Sequence, residues 1–413
     1  MAYHEAMVKK AKARGATNGI VALGVMTGTS CDGLDAACVS VDGDGWEPCW
    51  AESTPYPAEL RKRVLAAQNP GIRLALREVL ELHRDLGEWY GAVIRRIIAR
   101  HDLKPDLIAN HGQTIAHFPA AKRKGMTLQA GDPTRVAYLT GLTTVASFRD
   151  GDMSAGGQGA PLVPWFHRLL AAHLTEAGQG TAIHNLGGIS NLTYIAPDAE
   201  VIAFDTGPGN IWIDAAAALA TKGRAKFDAG GKLALAGEVD WNAVKKLVQL
   251  PYFRKHPPKS TGRDDFPFEL LLRATRTRGP SLVATATALT VESVAQAYER
   301  LILDADLPLA SVHVAGGGAR NRVLMGWLAS RLDRVGVAVA PLSDSGFDGR
   351  WIEAQAFAFF GVLSLLGQPL GGSWTGVKEF APPGHIIPGE NWATLLSKLR
   401  AMHPEAFKAD SSA

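Results

Sequence analysis

Apolar residues recur along this chain in two periods, and the places where one gives way to the other mark its elements. Two short apolar runs at 20–25 and 34–39 flank the small polar stretch 26–33, a pattern that predicts a β-hairpin around a tight turn. Leu82, Leu86, Tyr90, Val93 and Ile97 repeat at helical spacing and predict a helix over 79–100. Leu107, Ile108 and Ala109 predict a strand that ends at Asn110-His111-Gly112. A loop rich in glycine and punctuated by proline covers 149–164 and is a candidate hinge or active-site segment. Beyond it the pattern predicts a helix over 163–174, strands at 182–184, 192–195 and 201–204, a helix over 282–303, a strand at 312–315 and a helix from Asn321. Residues 353–366 are nearly all apolar, which marks a buried helix, with Trp351, Phe357, Phe359 and Phe360 read as core. Hairpins mixed with crossover helices predict an α/β fold whose strand ends carry the loops. No short-period repeat or low-complexity tract is visible.

Composition narrows the picture. The 413 residues exceed what one hydrophobic core usually serves, so two domains are expected. With 46% apolar and 20% charged residues and no unbroken apolar run of about 18, the chain reads as soluble rather than membrane-spanning. The net charge is only +3 and the basic residues are scattered, so the electrostatic footprint of a nucleic-acid binder is missing. Cys31, Cys38 and Cys49 form neither a disulfide framework nor a CxxC pair, which fits a reducing cytoplasm. The stretch 1–19 carries Lys9, Lys10, Lys12 and Arg14 without an apolar centre and reads as a solvated extension, not a secretory signal.

The candidate chemistry sits in four glycine-rich turns that each follow an apolar run: Gly28-Thr29-Ser30-Cys31-Asp32-Gly33, Gly187-Gly188-Ile189-Ser190-Asn191, Gly207-Pro208-Gly209-Asn210 and Gly316-Gly317-Gly318-Ala319-Arg320-Asn321. One such turn is weak evidence; four together are the signal, because a phosphate chain needs several backbone amides converging without side-chain obstruction. No GxxxxGK[ST] motif occurs. The third turn is preceded by Asp205 and followed by a helix opening at Ile211, so one segment offers a general base beside amides that favour negative charge. Helix capping is the simpler role for an aspartate at such a place. His111 and His117 lack the spacing and the neighbouring carboxylate of a metal site and read as structural. Lys259 and Arg263 read equally as solvated loop residues or as substrate contacts. Glu353 heads an apolar helix and requires a partner, either a sugar hydroxyl or an arginine.

These turns, together with Asn110-His111-Gly112-Gln113-Thr114, the Ala155–Pro164 loop and Pro257-Pro258-Lys259-Ser260-Thr261-Gly262-Arg263, resemble the anhydro-N-acetylmuramic acid kinase family over about 21–389. The resemblance implies a two-domain actin/hexokinase-like (ribonuclease H-like) α/β fold with an interdomain active-site cleft, with domain I at 1–153 plus 370–413 and domain II at 154–369. It implies that water attacks the anomeric carbon of a 1,6-anhydro sugar while the freed O6 takes the γ-phosphoryl group of ATP, giving N-acetylmuramate 6-phosphate in peptidoglycan recycling.

By the same resemblance Asp205 is the catalytic base, and Gly28, Thr29, Ser30, Cys31, Asp32, Gly33, Leu34 and Asp35 hold the ATP phosphates and order Mg2+. No residue ligates the metal directly in this reading; Asp32 reaches it through water. Gly188, Asn191, Gly207, Gly209 and Asn210 fall to the nucleotide, and Gly316, Gly317, Gly318 and Asn321 line the adenosine side. Arg149, Asp152, Gly156, Gly157, Gln158 and Glu353 fall to the sugar, Arg149 by pairing its guanidinium with a lactyl carboxylate. Relatives often carry Phe-Arg-x-Arg-Asp where this chain has Phe148-Arg149-Asp150-Gly151-Asp152. That departure keeps a levoglucosan-type kinase open as an alternative, and an actin- or chaperone-like ATPase is the alternative of another class. The family implies a homodimer in the cytoplasm, with small molecules as partners, no nucleic acid and no membrane.

Overall fold

A computed structural model describes residues 19–28, 31–42, 45–69, 71–119, 125–175, 179–197, 199–257, 259–377 and 379–403. Its principal helices are α1 (Leu76–His101), α2 (Pro164–Leu174), α3 (Ile211–Ala220), α4 (Pro280–Leu301), α5 (Arg322–Asp333) and α6 (Ile352–Leu365). The described chain divides into two units, one running up to Val163 and resuming at Trp351, the other Pro164–Arg350.

In the first unit β1 (Ile20–Thr27) and β2 (Gly33–Asp42) form the expected hairpin, in register from Ile20 opposite Val41 to Met26 opposite Asp35. β3 (Gly45–Pro55) continues the meander, while β4 (Leu107–Phe118) and β6 (Thr144–Ala146) add in parallel on the other side of β1. The strand order is therefore β3-β2-β1-β4-β6, extended by β12 (His385–Ile387) and with β5 (Met126–Ala130) paired to the far half of β4. β4 does not end at Asn110-His111-Gly112 as the pattern suggested. Its polar second half is held in strand form by β5, from Gln113 opposite Ala130 to Phe118 opposite Met126.

Alternate residues of β1 face different partners, as strand geometry requires. Leu23 and Val25 join the cluster containing Leu82, Leu86 and Tyr90 of α1. Gly24 faces α6, where a Cβ would overlap the Ala354 carbonyl oxygen and the Ala358 nitrogen, and a Cβ on Gly361 of α6 would meet that of Ala109 at 2.9 Å. This close backbone approach places α6 on the first unit's sheet, so the division falls at 163/164 and 350/351 and not at 153/154 and 369/370.

The second unit repeats the topology. β7 (Thr181–Leu186), β8 (Ile189–Ile195) and β9 (Ile202–Pro208) form an antiparallel meander, and β10 (Ser311–Ala315) and β11 (Ala338–Pro341) add in parallel to give β9-β8-β7-β10-β11. Each unit thus carries the 3-2-1-4-5 arrangement of a ribonuclease H-like sheet. β9 runs four residues past Phe204, because Gly207 pairs with Ser190 and Pro208 with Ile189. Asp205 therefore lies within a strand, not beyond one.

Candidate active site

Three of the four glycine turns meet at one end of the second sheet. The Gly209 amide donates to the Gly188 carbonyl at 2.9 Å and the Asn210 amide to Gly187 at 2.8 Å. The Asn210 side-chain amide donates to the Leu186 carbonyl at 2.8 Å. Gly316 and Gly318 pack so tightly against Asn185 and Leu186 that a side chain would collide, and Gly316 has φ +84°. Gly207, at φ +127°, leaves no room for a Cβ beside Phe253. Three amides leading into α3, those of Gly209, Asn210 and Ile211, are taken by the Gly187 and Gly188 carbonyls and so are closed to an anion. Asn321 is committed as well, its side-chain oxygen capping α5 by accepting from the Leu324 amide at 3.1 Å.

Asn185, Asn191 and Asp205 stand opposite one another across β7, β8 and β9. Direct cross-strand neighbours share a face, so they form one polar row beside the turns. The Asp205 carboxylate caps no helix. Its Oδ2 accepts from the Thr261 amide at 2.8 Å, and Tyr252 donates its hydroxyl to the Asp205 carbonyl at 2.7 Å. Burial pushes this carboxyl up to about 6, opposed by the Thr261 hydrogen bond and the Lys259 charge. Lys259 lies over the rings of Phe204 and Tyr252, at 5.1 and 5.0 Å, and desolvation with the nearby Arg300 and Lys255 charges lowers its ammonium to about 8.

Beside this row an open cavity of about 470 Å3 is lined by Gly188, Asn210, Trp212, Asp214, Arg263 and Gly317, among others. Asp214 was not singled out from the sequence. Burial raises it to about 6, with Arg263 opposing. Its signal was available in the spacing, since it sits four residues after Asn210, one turn into α3.

In the first unit the β1–β2 turn is fixed from below. Gln113 donates to the Gly28 carbonyl at 3.2 Å and accepts from Tyr56 at 2.8 Å, and Arg61 donates to the Cys31 carbonyl at 2.8 Å. Thr29 and Ser30 lie outside the described residues. Asp32 is exposed, Leu34 is core, Gly33 packs on the Thr54 carbonyl, and Asp35 accepts from Ser53.

Arg149 donates through Nε to His111 Nε2 at 3.0 Å and through Nη1 to the Gly159 carbonyl at 2.6 Å. His111 bonds the Gly112 carbonyl through Nδ1 at 2.8 Å, and burial holds the ring well below its ordinary pKa, so the neutral Nδ1–H form meets both demands. Desolvation raises Glu353 while Arg149 opposes and Asp35 adds; because the side chain is exposed, water screens much of that shift. Asp152 is buried with both oxygens engaged, Oδ1 by Thr375 and Oδ2 by the Gly159 amide, each at 2.6 Å. It braces the loop from within. The Gln158 amide donates to the Thr375 carbonyl at 2.8 Å, and Gly157 packs on Asp152 while Gly156 is open at φ +88°.

Residues 20–389 match the family described as Anhydro-N-acetylmuramic acid kinase. The chain belongs to that family. A relative of that name from Acidithiobacillus ferrooxidans is 40% identical over 394 residues, covering 93% of this chain and 96% of its own. A second, from Gloeobacter violaceus, is 40% identical over 389 residues, covering 89% and 98%. A third, from Bordetella pertussis, is 39% identical over 377 residues, covering 89% and 95%. Anhydro-N-acetylmuramic acid kinase family membership makes the chain a sugar kinase and gives the converging turns a reason to be together.

Proposed function

We propose that this enzyme hydrolyses the 1,6-anhydro bond of 1,6-anhydro-N-acetylmuramic acid and phosphorylates O6 from ATP. The observation that carries the reading is Asp205: a carboxyl held near neutrality, one oxygen fixed by the Thr261 amide, the other accepting no hydrogen bond among the described residues, next to three converging glycine turns. Water is a poor nucleophile and needs a base whose pKa is close to the working pH. Asp205 takes the proton as the water oxygen bonds to C1, the C1–O6 bond breaks, and O6 bonds to the γ-phosphorus as ADP leaves. The second unit supplies this base and, through Gly188, Gly207, Gly209, Asn210, Gly316, Gly317 and Gly318, the nucleotide turns. Asp214 and Arg263 in the cavity are added to that set.

The first unit supplies the Gly28–Asp35 turn for the phosphates and Arg149 for the lactyl carboxylate. A magnesium ion would be carried by the ATP phosphates and water, with the exposed Asp32 of the β1–β2 turn reaching it through water. When bound, the ion would offset charge on the transferring phosphoryl group. A side chain at Gly151 would overlap the Pro382 carbonyl, so packing within the first unit accounts for the glycine there. A homodimer and a cytoplasmic setting belong to the same proposal.

The test is a coupled assay with ATP and either the anhydro-muramyl sugar or levoglucosan. Turnover of the first with little of the second is expected, and Asp205→Asn should bind both ligands while losing roughly 10²–10⁴-fold in rate. Brisk turnover of levoglucosan alone would reassign the substrate.

A further inference from the structure

The Pro-rich segment leading to Arg263 bonds to residue 205 at both main chain and side chain. The Asp205 N–H donates to the Lys259 carbonyl at 3.3 Å, and the Thr261 N–H donates to Asp205 Oδ2 at 2.8 Å. The segment is itself anchored: Asp265 Oδ2 accepts from the Thr261 hydroxyl at 2.8 Å and from the Gly262 amide at 3.1 Å, and the Lys259 side chain rests on the rings of Phe204 and Tyr252. We propose that residues 259–261 form a strap on Asp205, in which the main-chain N–H of Thr261 is the positioning group that aims the carboxylate and keeps it ionised. This rests on the reading of Asp205 as the base.

The physical reason lies in which form the bond favours. An N–H donor stabilises an ionised carboxylate over the protonated acid, and it offsets the burial that pushes Asp205 toward protonation. With Oδ2 occupied, Oδ1 is the oxygen left to take a proton from water. The other groups facing Asp205 leave the larger share of this task to the amide. Tyr252 is held neutral by burial well above its ordinary range, and Asn191 opposite on β8 does not titrate. Lys259, depressed by desolvation, Arg300 and Lys255, still carries its charge where Asp205 titrates and favours the carboxylate less than the amide does. Asp265 is committed to holding the strap.

The experiment measures the pH dependence of kcat/KM for ATP and the anhydro sugar in the full chain, with nucleotide binding and Tm as folding controls. Thr261→Pro removes the N–H and should move the acid limb up by about one pH unit, lowering the rate about tenfold on that limb. Thr261→Ser retains both the N–H and the hydroxyl that bonds Asp265 and should keep the limb in place, whatever it does to the rate. An unmoved limb in Thr261→Pro, or an equal displacement in Thr261→Ser, overturns the proposal. Should Thr261→Pro fail to fold, Asp265→Ala loosens the same strap and should move the limb in the same direction by less; no movement there also overturns it. Parental rate in Asp205→Asn would instead defeat the assignment of the base, a separate failure.

Discussion

His111 shows how one buried side chain fixes another, the arginine proposed to meet the sugar. Its Nε2 receives the Arg149 Nε–H only while the ring is neutral, and the Gly112 carbonyl on Nδ1 selects that tautomer. His111→Phe keeps the ring that packs against Phe357 but deletes the acceptor, leaving the guanidinium held by the Gly159 carbonyl alone. Steady-state kinetics should then give a KM for the anhydro-muramyl sugar roughly tenfold higher, the scale of one lost charge-assisted bond, with the KM for ATP unchanged. The rest of the Asn110–Thr114 motif acts in the same indirect way, Gln113 holding Gly28 and Asn110 bonding Gly112 and Gly131. Spacing alone assigned these residues no part in the site.

At the scale of elements, two glycines decide where α6 sits. Gly24 and Gly361 remove the side chains that would separate the helix from β1 and β4, so α6 packs backbone to backbone on the first sheet. Gly24→Val inserts volume where none is free and should destabilise the first unit by about 1–3 kcal/mol or more, read as a lower Tm in calorimetry. Apolarity predicted that α6 is buried. It could not say against which sheet, because a helix apolar all round carries no directional stripe.

Across the whole molecule, two sheets of the same order arise from stretches without visible repetition, since the ribonuclease H-like arrangement asks only for strand pattern and connection length. The enzyme as a whole should titrate through Asp205. A base must be ionised to work, and its raised pKa means that activity is lost as pH falls through about 6, well above the ordinary range of an aspartate. A kcat/KM profile flat down to pH 5 or below would place the base elsewhere. ATP consumption without sugar should be low and rise sharply when the anhydro sugar is added, the outcome that separates a kinase from an actin- or chaperone-like ATPase.

The order of apolar runs and glycine turns was sufficient for the α/β class, the two-domain expectation and the family, because each follows from local periodicity or from motifs contiguous in the chain. Partnerships were not legible there. Whether Asp152 faces a ligand or braces its own loop, whether the α3 amides are open or taken by Gly187 and Gly188, and which donor fixes Asp205 depend on groups tens to hundreds of residues apart. Only packing brings them within hydrogen-bond reach, and a hydrogen bond is decided within a few tenths of an ångström that no spacing in a sequence encodes.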